Sequence, residues 1–484
     1  MKQHSSGSAP GHNAAAAVDR SRAPEPASIR TFEFPAVERR RQGNGLTFLT
    51  ARGGDLPLVT VRAVVDAGAA AERTGEEGLA WLTAESLEGG TSRRTGEELA
   101  WAVERLGAEL HTQTGWDGVH VALTTAAHNL GAAVGLLAEI VREPAFPERE
   151  VERIRAEQLA EMMRRRTEPR ALADDAAARF IFADGATYGR TVLGFQDRVQ
   201  DFTAEAVREF HRSRYVPGRT AIVVVGAVDA DAAEAEVSRA FGDWTGTTQP
   251  APPPVTTPRH DRTTIHVVDR PSAVQSEVRI GHVGVPRDTA DYFPLLVMNA
   301  VLGGAFTSRL NLNLREKHGF TYGVRSGFAF RRASGPFVIQ TAVASDVTAR
   351  AVEETLKELR GLVDSGLTDE ETASARDYLA GTMPLEMQTT EQLAARVAEL
   401  HVFDLPTDHF DSARERIRAV TADEAHRVAN LRLQLDRLSI TVAGSADAIA
   451  EDLRALGIGD VVIHGADENI HLSEPAADPT TPAS

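Results

Sequence analysis

The chain has 484 residues, 42% of them hydrophobic, which is enough apolar material for more than one core and predicts two to four domains. Acidic residues outnumber basic ones, 69 against 52, and the formal charge of −17 argues against a nucleic-acid-binding scaffold. The absence of cysteine excludes disulfides, thiolate metal sites and a cysteine nucleophile.

Both ends of the chain have the composition of non-globular segments. Residues 1–30 are rich in Ala, Ser, Pro and Gly and predict a disordered leader. Their one apolar run, Ala14 to Val18, is shorter than the ~7–15 residues of a signal-peptide core. No run approaches the roughly 18 apolar residues of a membrane span. Residues 465–484 predict a disordered acidic tail, and the expected location is the cytoplasm.

Residues 31–246 predict an N-terminal α/β half. Two β-rich runs flank the turn Arg52 to Asp55 and predict a hairpin. The stretch GLAWLTAESLEGGT, Gly78 to Thr91, predicts an amphipathic helix that a glycine pair ends. Thr95 and Glu98 have capping-box spacing at the start of the next helix. A second hairpin is predicted around Trp116-Asp117-Gly118, and long charged helices follow.

A proline-rich run, residues 247–262, predicts an extended linker, after which the order of elements restarts over residues 263–464. TAEAVREF at Thr203 matches TADEAHRV at Thr421, and AIVVVGAVD matches SITVAGSAD with Gly226 and Gly444 at the same offset. The sequence therefore predicts an α+β fold of two homologous α/β halves, each with helices packed on a mixed, mainly antiparallel sheet.

The second half contains a stretch that corresponds to the Gly78 helix. In VLGGAFTSRLNLNLREKHGFTYGVRSGF, the pair Gly303-Gly304 is followed by S-R-L, by L-R-E with Arg315, and by Tyr322 seven residues after that arginine. Together the two stretches resemble the insulinase/pitrilysin family of zinc peptidases, which includes mitochondrial processing peptidase. The resemblance implies that the halves close like a clamshell around a chamber that holds a peptide.

Members of that family carry H-x-x-E-H on the first helix, because imidazoles at i and i+4 bind one zinc and the acid polarises its water. Here those positions are Trp81, Ala84 and Glu85. The favoured interpretation is that Trp81 packs between the halves. The alternative pairs Glu85 with Glu157, which resembles the family's third zinc ligand, but two carboxylates without imidazole make a poor zinc site. No metal is therefore expected on this chain.

Arg315 and Tyr322 are the residues expected to act. Both carry hydrogen-bond donors, and the resemblance implies that they bind substrate and stabilise the oxyanion formed when water attacks a peptide carbonyl. The alternative is that Arg315 pairs with Glu316 and that Tyr322 merely begins a strand. Gly303 and Gly304 either give a bound peptide room or only end a helix.

The loss of the zinc motif beside a retained Arg and Tyr implies the non-metal subunit of a two-chain peptidase. A homologue with H-x-x-E-H would hold the zinc, and the complex would cleave oligopeptides or unfolded segments. The alternative is a non-enzymatic structural or peptide-binding subunit, like the respiratory-complex core proteins that resemble this family. An independent peptidase with a rebuilt site has no support in the residues.

Overall fold

The computed structural model describes residues 32–54 and 56–465. The predicted leader, all but the first residue of the predicted tail, and Asp55 of the predicted turn lie outside these ranges. From Glu33 on, the described residues belong to one compact unit. None of the helices in the described ranges is long and apolar enough to cross a membrane.

The first sheet contains six strands: β1 Val37–Arg41, β2 Thr47–Arg52, β3 Leu58–Val65, β4 Glu109–Thr114, β5 Val119–Ala126 and β6 Thr220–Gly226. They lie in the order β1-β2-β6-β3-β5-β4, and among them only β2 and β6 pair in parallel. β6, TAIVVVG, is buried at every residue, which is the pattern of a strand covered on both faces.

The second sheet contains β7 Thr264–Asp269, β8 Gln275–Val283, β9 Val324–Phe328, β10 Pro336–Ala344, β11 Ser439–Gly444 and β12 Asp460–His464. Its order is β12-β7-β11-β8-β10-β9. Five strands of the first sheet have equivalents here at the same places, which confirms the predicted repeat. The outermost strand differs, because β1 pairs antiparallel with β2, whereas β12 pairs parallel with β7.

The helices of the described residues follow the same repeat. Their bounds are α1 Leu79–Glu85, α2 Gly96–Arg105, α3 Leu130–Arg142, α4 Glu148–Thr167, α5 Pro169–Ile181, α6 Gln196–Val199, α7 Ala204–Arg214, α8 Ala230–Phe241, α9 Tyr292–Asn299, α10 Thr348–Ser365, α11 Asp369–Thr382, α12 Thr390–Val402, α13 Ala413–Ala419, α14 Ala422–Arg432 and α15 Ala446–Ala455. Two π-helical turns, Ala300–Gly304 and Asn311–Lys317, lie between α9 and β9.

Each half contributes one helix to the sheet of the other. α5 lies on β8 and β11 of the second sheet, and α12 lies on β3 and β6 of the first. Phe180 of α5 packs in a buried apolar cluster with Val268 and Ala443, and Leu393 of α12 lies against Gly53. This exchange covers the second face of each sheet, which is why β6 and β11 are buried throughout.

The first predicted hairpin is wrong, because β6 lies between β2 and β3. The antiparallel partner of β2 is β1, which the sequence analysis did not identify. A strand as apolar as β6 is disfavoured at a sheet edge, and its insertion between β2 and β3 buries it. The second predicted hairpin, β4 with β5, and the capping box at Thr95 and Glu98 are both confirmed.

Residues 247–257 of the predicted linker form neither helix nor strand. The carbonyls of Val255 and Thr257 accept hydrogen bonds from the backbone N–H groups of Thr187 and Ala183, both at 2.9 Å. These contacts hold the segment along the chain that follows α5. The domain boundaries drawn from the sequence remain predictions.

Candidate functional site

Helix α1 presents the three positions of the missing zinc motif. Trp81 is half-buried and packs against the first hydrophobic core, while Ala84 is fully buried. Glu85 is half-buried, and burial raises its pKa to about 7, helped by the nearby carboxylates of Glu88 and Glu157. An alanine with no exposed surface therefore stands where the H-x-x-E-H motif has its catalytic acid.

Glu157 lies near Glu85 but does not form a metal site with it. Its side chain is 57% exposed and accepts a hydrogen bond from Arg153 at 2.6 Å, one helical turn away. Among residues 32–54 and 56–465 there is no group of three or more His, Asp or Glu side chains placed to hold a metal ion. Two carboxylates without an imidazole do not fit zinc.

Sequence reasoning missed the residue that holds the start of α1. Oε1 of Glu72 accepts hydrogen bonds from the N–H groups of Gly78 and Ala80, at 3.0 and 2.7 Å, and Arg190 pairs with its other oxygen at 2.7 Å. The side chain has no exposed surface, and burial raises the pKa of Glu72 to about 7. The one sequence signal that could have identified this cap is an acidic residue shortly before a helix that follows a glycine.

Gly78 itself is required by close packing. It has a φ of 102°, and a Cβ atom there would lie 2.4 Å from the carbonyl oxygen of Leu193. The fully buried amide of Gln158 donates to the carbonyls of both Gly78 and Leu193 at 2.9 Å. The frame of α1 is therefore held by buried hydrogen bonds, although the residues needed for zinc chemistry are absent from it.

The second stretch of interest follows α9. Gly303, in the first π-helical turn, lies so close to β9 that a Cβ atom would meet the hydroxyl oxygen of Ser326 at 2.6 Å. Gly304 is exposed, and a Cβ atom there would lie 2.8 Å from Nδ2 of Asn299. Of the two roles open for the glycine pair, the geometry gives Gly303 a packing role. π-Helical turns are rare and frequently occur at functional sites.

Arg315 lies in the second π-helical turn. Its guanidinium group is 3.6 Å from the Glu316 carboxylate and lies over the ring of Phe306, with 4.5 Å between the guanidinium carbon and the ring centroid. The predicted alternative pairing with Glu316 is therefore present, but it is long, and a third of the Arg315 side chain stays exposed. An exposed pair of this kind contributes roughly 0–1 kcal/mol, so the guanidinium can exchange it for another acceptor.

Tyr322 precedes β9 by two residues and is 98% exposed, so it is not part of the strand. Its loop is nevertheless fixed. The side chain of Asn311 pairs with the backbone of Val324, donating to its carbonyl at 3.0 Å and accepting from its N–H at 3.1 Å. The hydroxyl of Thr321 bonds both the N–H and the carbonyl of Gly323.

The fold therefore places Arg315 and Tyr322 on consecutive segments, one in the π-helical turn that contains Asn311 and the other in the loop that Asn311 anchors. The side-chain contacts of Arg315 are with Glu316 and Phe306, and neither of these residues belongs to α1. Asn311 was not identified from the sequence, since an asparagine among alternating Leu and Asn gave no signal of its role. Two donors held on fixed backbone and open to solvent can bind a carbonyl oxygen, but they supply no nucleophile.

Two family descriptions match the sequence. "Insulinase (Peptidase family M16)" matches residues 53–192 and "Peptidase M16 inactive domain" matches residues 201–379. An uncharacterized zinc protease of Streptomyces coelicolor is 27% identical over 348 residues, which are 70% of this chain and 75% of that one. Another from Mycobacterium leprae is 26% identical over 414 residues, covering 83% and 93%.

Solved structures share the fold. A peptidase M16 inactive domain from Pseudomonas fluorescens superposes with a TM-score of 0.79 at 24% identity, covering 85% of this chain and 98% of its own. A protease from Helicobacter pylori gives 0.79 at 19% identity, covering 85% and 100%. A chain of Complex III2 from Candida albicans gives 0.72 at 14%, covering 88% and 100%. With both family descriptions matched in chain order over most of its length, the chain belongs to the insulinase family of peptidases, family M16.

Proposed function

We propose that this chain is the zinc-free subunit of a two-chain zinc peptidase and that it contributes Arg315 and Tyr322 to the substrate site. The observation that carries the proposal is the contrast between the two stretches. Ala84 is fully buried and Trp81 replaces an imidazole on α1, whereas Tyr322 is almost completely exposed on an anchored loop. The hydroxyl of an exposed tyrosine on such a loop can donate a hydrogen bond to another molecule.

In the proposed complex, a homologue with an intact H-x-x-E-H motif would hold the zinc, and that ion would supply the activated water. The hydroxyl of Tyr322 donates a hydrogen bond to the oxygen of the scissile carbonyl as that oxygen becomes negatively charged. Arg315 leaves Glu316 and binds the same oxygen or a neighbouring carbonyl of the peptide. Each donor that strengthens its contact in the transition state is worth about 3–4 kcal/mol.

The test is turnover of the assembled complex with Tyr322→Phe. The variant removes one donor and leaves the ring in place, so kcat at saturating peptide should fall by ~10²–10³. Because Tyr322 is 98% exposed, the thermal midpoint and the assembly with the partner should not change. Equal turnover of the two complexes would remove Tyr322 from the mechanism.

Arg315→Ala should lower kcat and also raise KM, since a guanidinium that binds a carbonyl before the reaction also holds the substrate in its ground state. The matched control is Arg360→Ala, which removes an exposed arginine from α10, a helix outside the candidate site. Both complexes should elute as single hetero-oligomers in size-exclusion chromatography. Loss of activity in both variants would point to a general charge effect instead of a role for Arg315.

A second candidate is a structural subunit without a catalytic role. The pairing of Arg315 with Glu316 and the likeness in fold to a chain of Complex III2 favour it. That function predicts no change in turnover of any partner for Tyr322→Phe, so the same experiment separates the two. An arginine that is retained only to pair with Glu316 would also tolerate replacement by lysine.

A further inference from the structure

A cavity of about 250 Å³ opens beside the candidate site, between α11 and the segment of residues 300–312. Its floor is apolar and is formed by buried side chains of both segments: Ala300, Val301, Ala305 and Ala375. Leu312 and Tyr378 stand at its rim with 52% and 46% of their surfaces exposed. Large apolar side chains grouped around an apolar cavity are costly to leave in water, and such groups mark places where ligands bind.

The polar end of the cavity has an excess of negative charge. Arg309 donates two hydrogen bonds to Glu371, at 2.6 and 2.7 Å, and this pairing lowers the pKa of Glu371 to about 2. The two charges therefore cancel at neutral pH. Glu370, which precedes Glu371 in sequence and also lines the cavity, is exposed and has no ion-pair partner among the described residues. A cationic group that enters the cavity at this end would meet an uncompensated carboxylate.

The cavity and Arg315 lie on two sides of one loop. Ala305 and Thr307 line the cavity, while Phe306 between them lies 4.5 Å from the guanidinium carbon of Arg315 and is 69% exposed. Leu312 precedes Arg315 by three residues in the same π-helical turn. Extended chain advances ~3.3 Å per residue, so the proposal below takes a peptide bound by Arg315 to reach the cavity within a few residues.

We propose that this cavity is a side-chain subsite for the peptide substrate, and that it accepts a large apolar side chain whose neighbour in sequence is Lys or Arg. The apolar floor selects the first side chain, and Glu370 pairs with the second. The inference rests on the proposed function, since it takes the occupant to be the peptide that Arg315 and Tyr322 bind. A phosphate-bearing ligand is disfavoured because Glu371 neutralises Arg309, and the lining has no other cation among the described residues.

Peptide binding to the isolated chain tests the subsite without any cleavage. The probe is a fluorescein-labelled ten-residue peptide of Gly and Ser with one Leu-Arg pair at its centre. Two companion peptides replace the pair by Ser-Arg and by Leu-Gln. Fluorescence anisotropy should show the Leu-Arg peptide binding about tenfold more tightly than the Ser-Arg peptide, a typical discrimination for one apolar side chain. The affinity of the Leu-Arg peptide should be about threefold higher than that of the Leu-Gln peptide, and this difference should become smaller at high salt.

Two variants connect this binding to the cavity. Ser374→Trp places a large ring over the opening from an exposed position and should weaken binding of the Leu-Arg peptide by about tenfold or more. Asp377→Trp, three residues further along α11 and outside the lining, is the matched control and should bind like the wild type. Glu370→Gln should abolish the difference between the Leu-Arg and Leu-Gln peptides.

Three results would contradict the proposed subsite. No measurable binding by the wild type at millimolar peptide, equal binding of the three peptides, or equal effects of the two tryptophan variants would each do so. Failure of the subsite and failure of the proposed function can be distinguished, because turnover of the complex with Tyr322→Phe reports on the proposed function alone. The peptides can bind equally although Tyr322 is essential for turnover. Conversely, the Leu-Arg peptide can bind selectively although the complex has no activity.

Discussion

Three histidines lie together at the junction of the halves, and we expect the buried one, His266, to make the fold sensitive to acid. His266 of β7 is 3% exposed and stacks on Phe180 of α5, with ring centroids 4.0 Å apart. Its two ring nitrogens lie 2.9 Å from Nε2 of His260 and 3.1 Å from Nε2 of His464. Burial lowers the pKa of His266 to about 3, and His464, His260 and Arg259 add repulsion. The imidazole is therefore neutral in the folded chain.

The perturbation is His266→Phe, which keeps an aromatic ring against Phe180 and removes the titration. With a pKa of about 3 when folded and roughly 6.5 when unfolded, His266 binds a proton more readily in the unfolded chain. Its contribution to stability is complete above the unfolded pKa and is lost as the pH falls from there towards the folded value. Between about pH 7.5 and about pH 5, this single group lowers the free energy of unfolding by ~2 kcal/mol.

The assay is urea denaturation of wild type and variant at these two pH values, monitored by circular dichroism. Other buried histidines whose pKa burial lowers, such as His120, His211 and His282, titrate equally in both proteins and cancel in the comparison. The wild type should lose ~2 kcal/mol more than the variant on acidification. The control His128→Phe, at an exposed position, should lose as much as the wild type. Equal losses in wild type and His266→Phe would refute the reasoning.

Two further predictions concern α1 and the helix exchange. The triple replacement Trp81→His, Ala84→Glu and Glu85→His should not produce one tightly bound zinc per chain in metal analysis, because position 84 is fully buried and Glu157 faces solvent; stoichiometric zinc after dialysis would contradict this. Leu393→Asp on α12 should destabilise the N-terminal half by ~3–5 kcal/mol, since it places a charge against the first sheet. Limited proteolysis should then cleave the variant within residues 37–226 faster than the wild type. Equal resistance of the two proteins would show that the N-terminal half does not depend on α12.

Much of the fold could be predicted because its signals are local. Alternation along β4, the capping box at Thr95 and the matching strands that end at Gly226 and Gly444 each depend on neighbouring residues. The insertion of β6 between β2 and β3 is not local, since more than 150 residues separate β3 from β6 along the chain. The exchange of α5 and α12 left no periodic signal either, because a helix on a foreign sheet has the same apolar stripe as one on its own.

The candidate site divides in the same way. Arg315 and Tyr322 could be identified from the sequence because they belong to a motif of recognisable residue types and spacing. Residues that hold the backbone of either stretch do not stand out: Glu72 binds backbone N–H groups at the start of α1, and Asn311 pairs with the backbone of Val324 beside Tyr322. A buried side chain that bonds backbone groups can have almost any sequence context, so only the three-dimensional arrangement identifies it.

The internal repeat supplies a last argument about where hydrolysis can occur. Counting back from the glycine pairs, the helix positions of Ala84 and Glu85 correspond to Met298 and Asn299 in the second half. Met298 is fully buried, and the Asn299 side chain bonds the carbonyl and the hydroxyl of Ser326 at 3.0 and 2.7 Å. Both halves thus have an apolar residue where an acid would have to polarise water. If the two-chain peptidase proposed above exists, we expect the acid of its H-x-x-E-H motif on the other chain, while Tyr322 donates its hydrogen bond from this one.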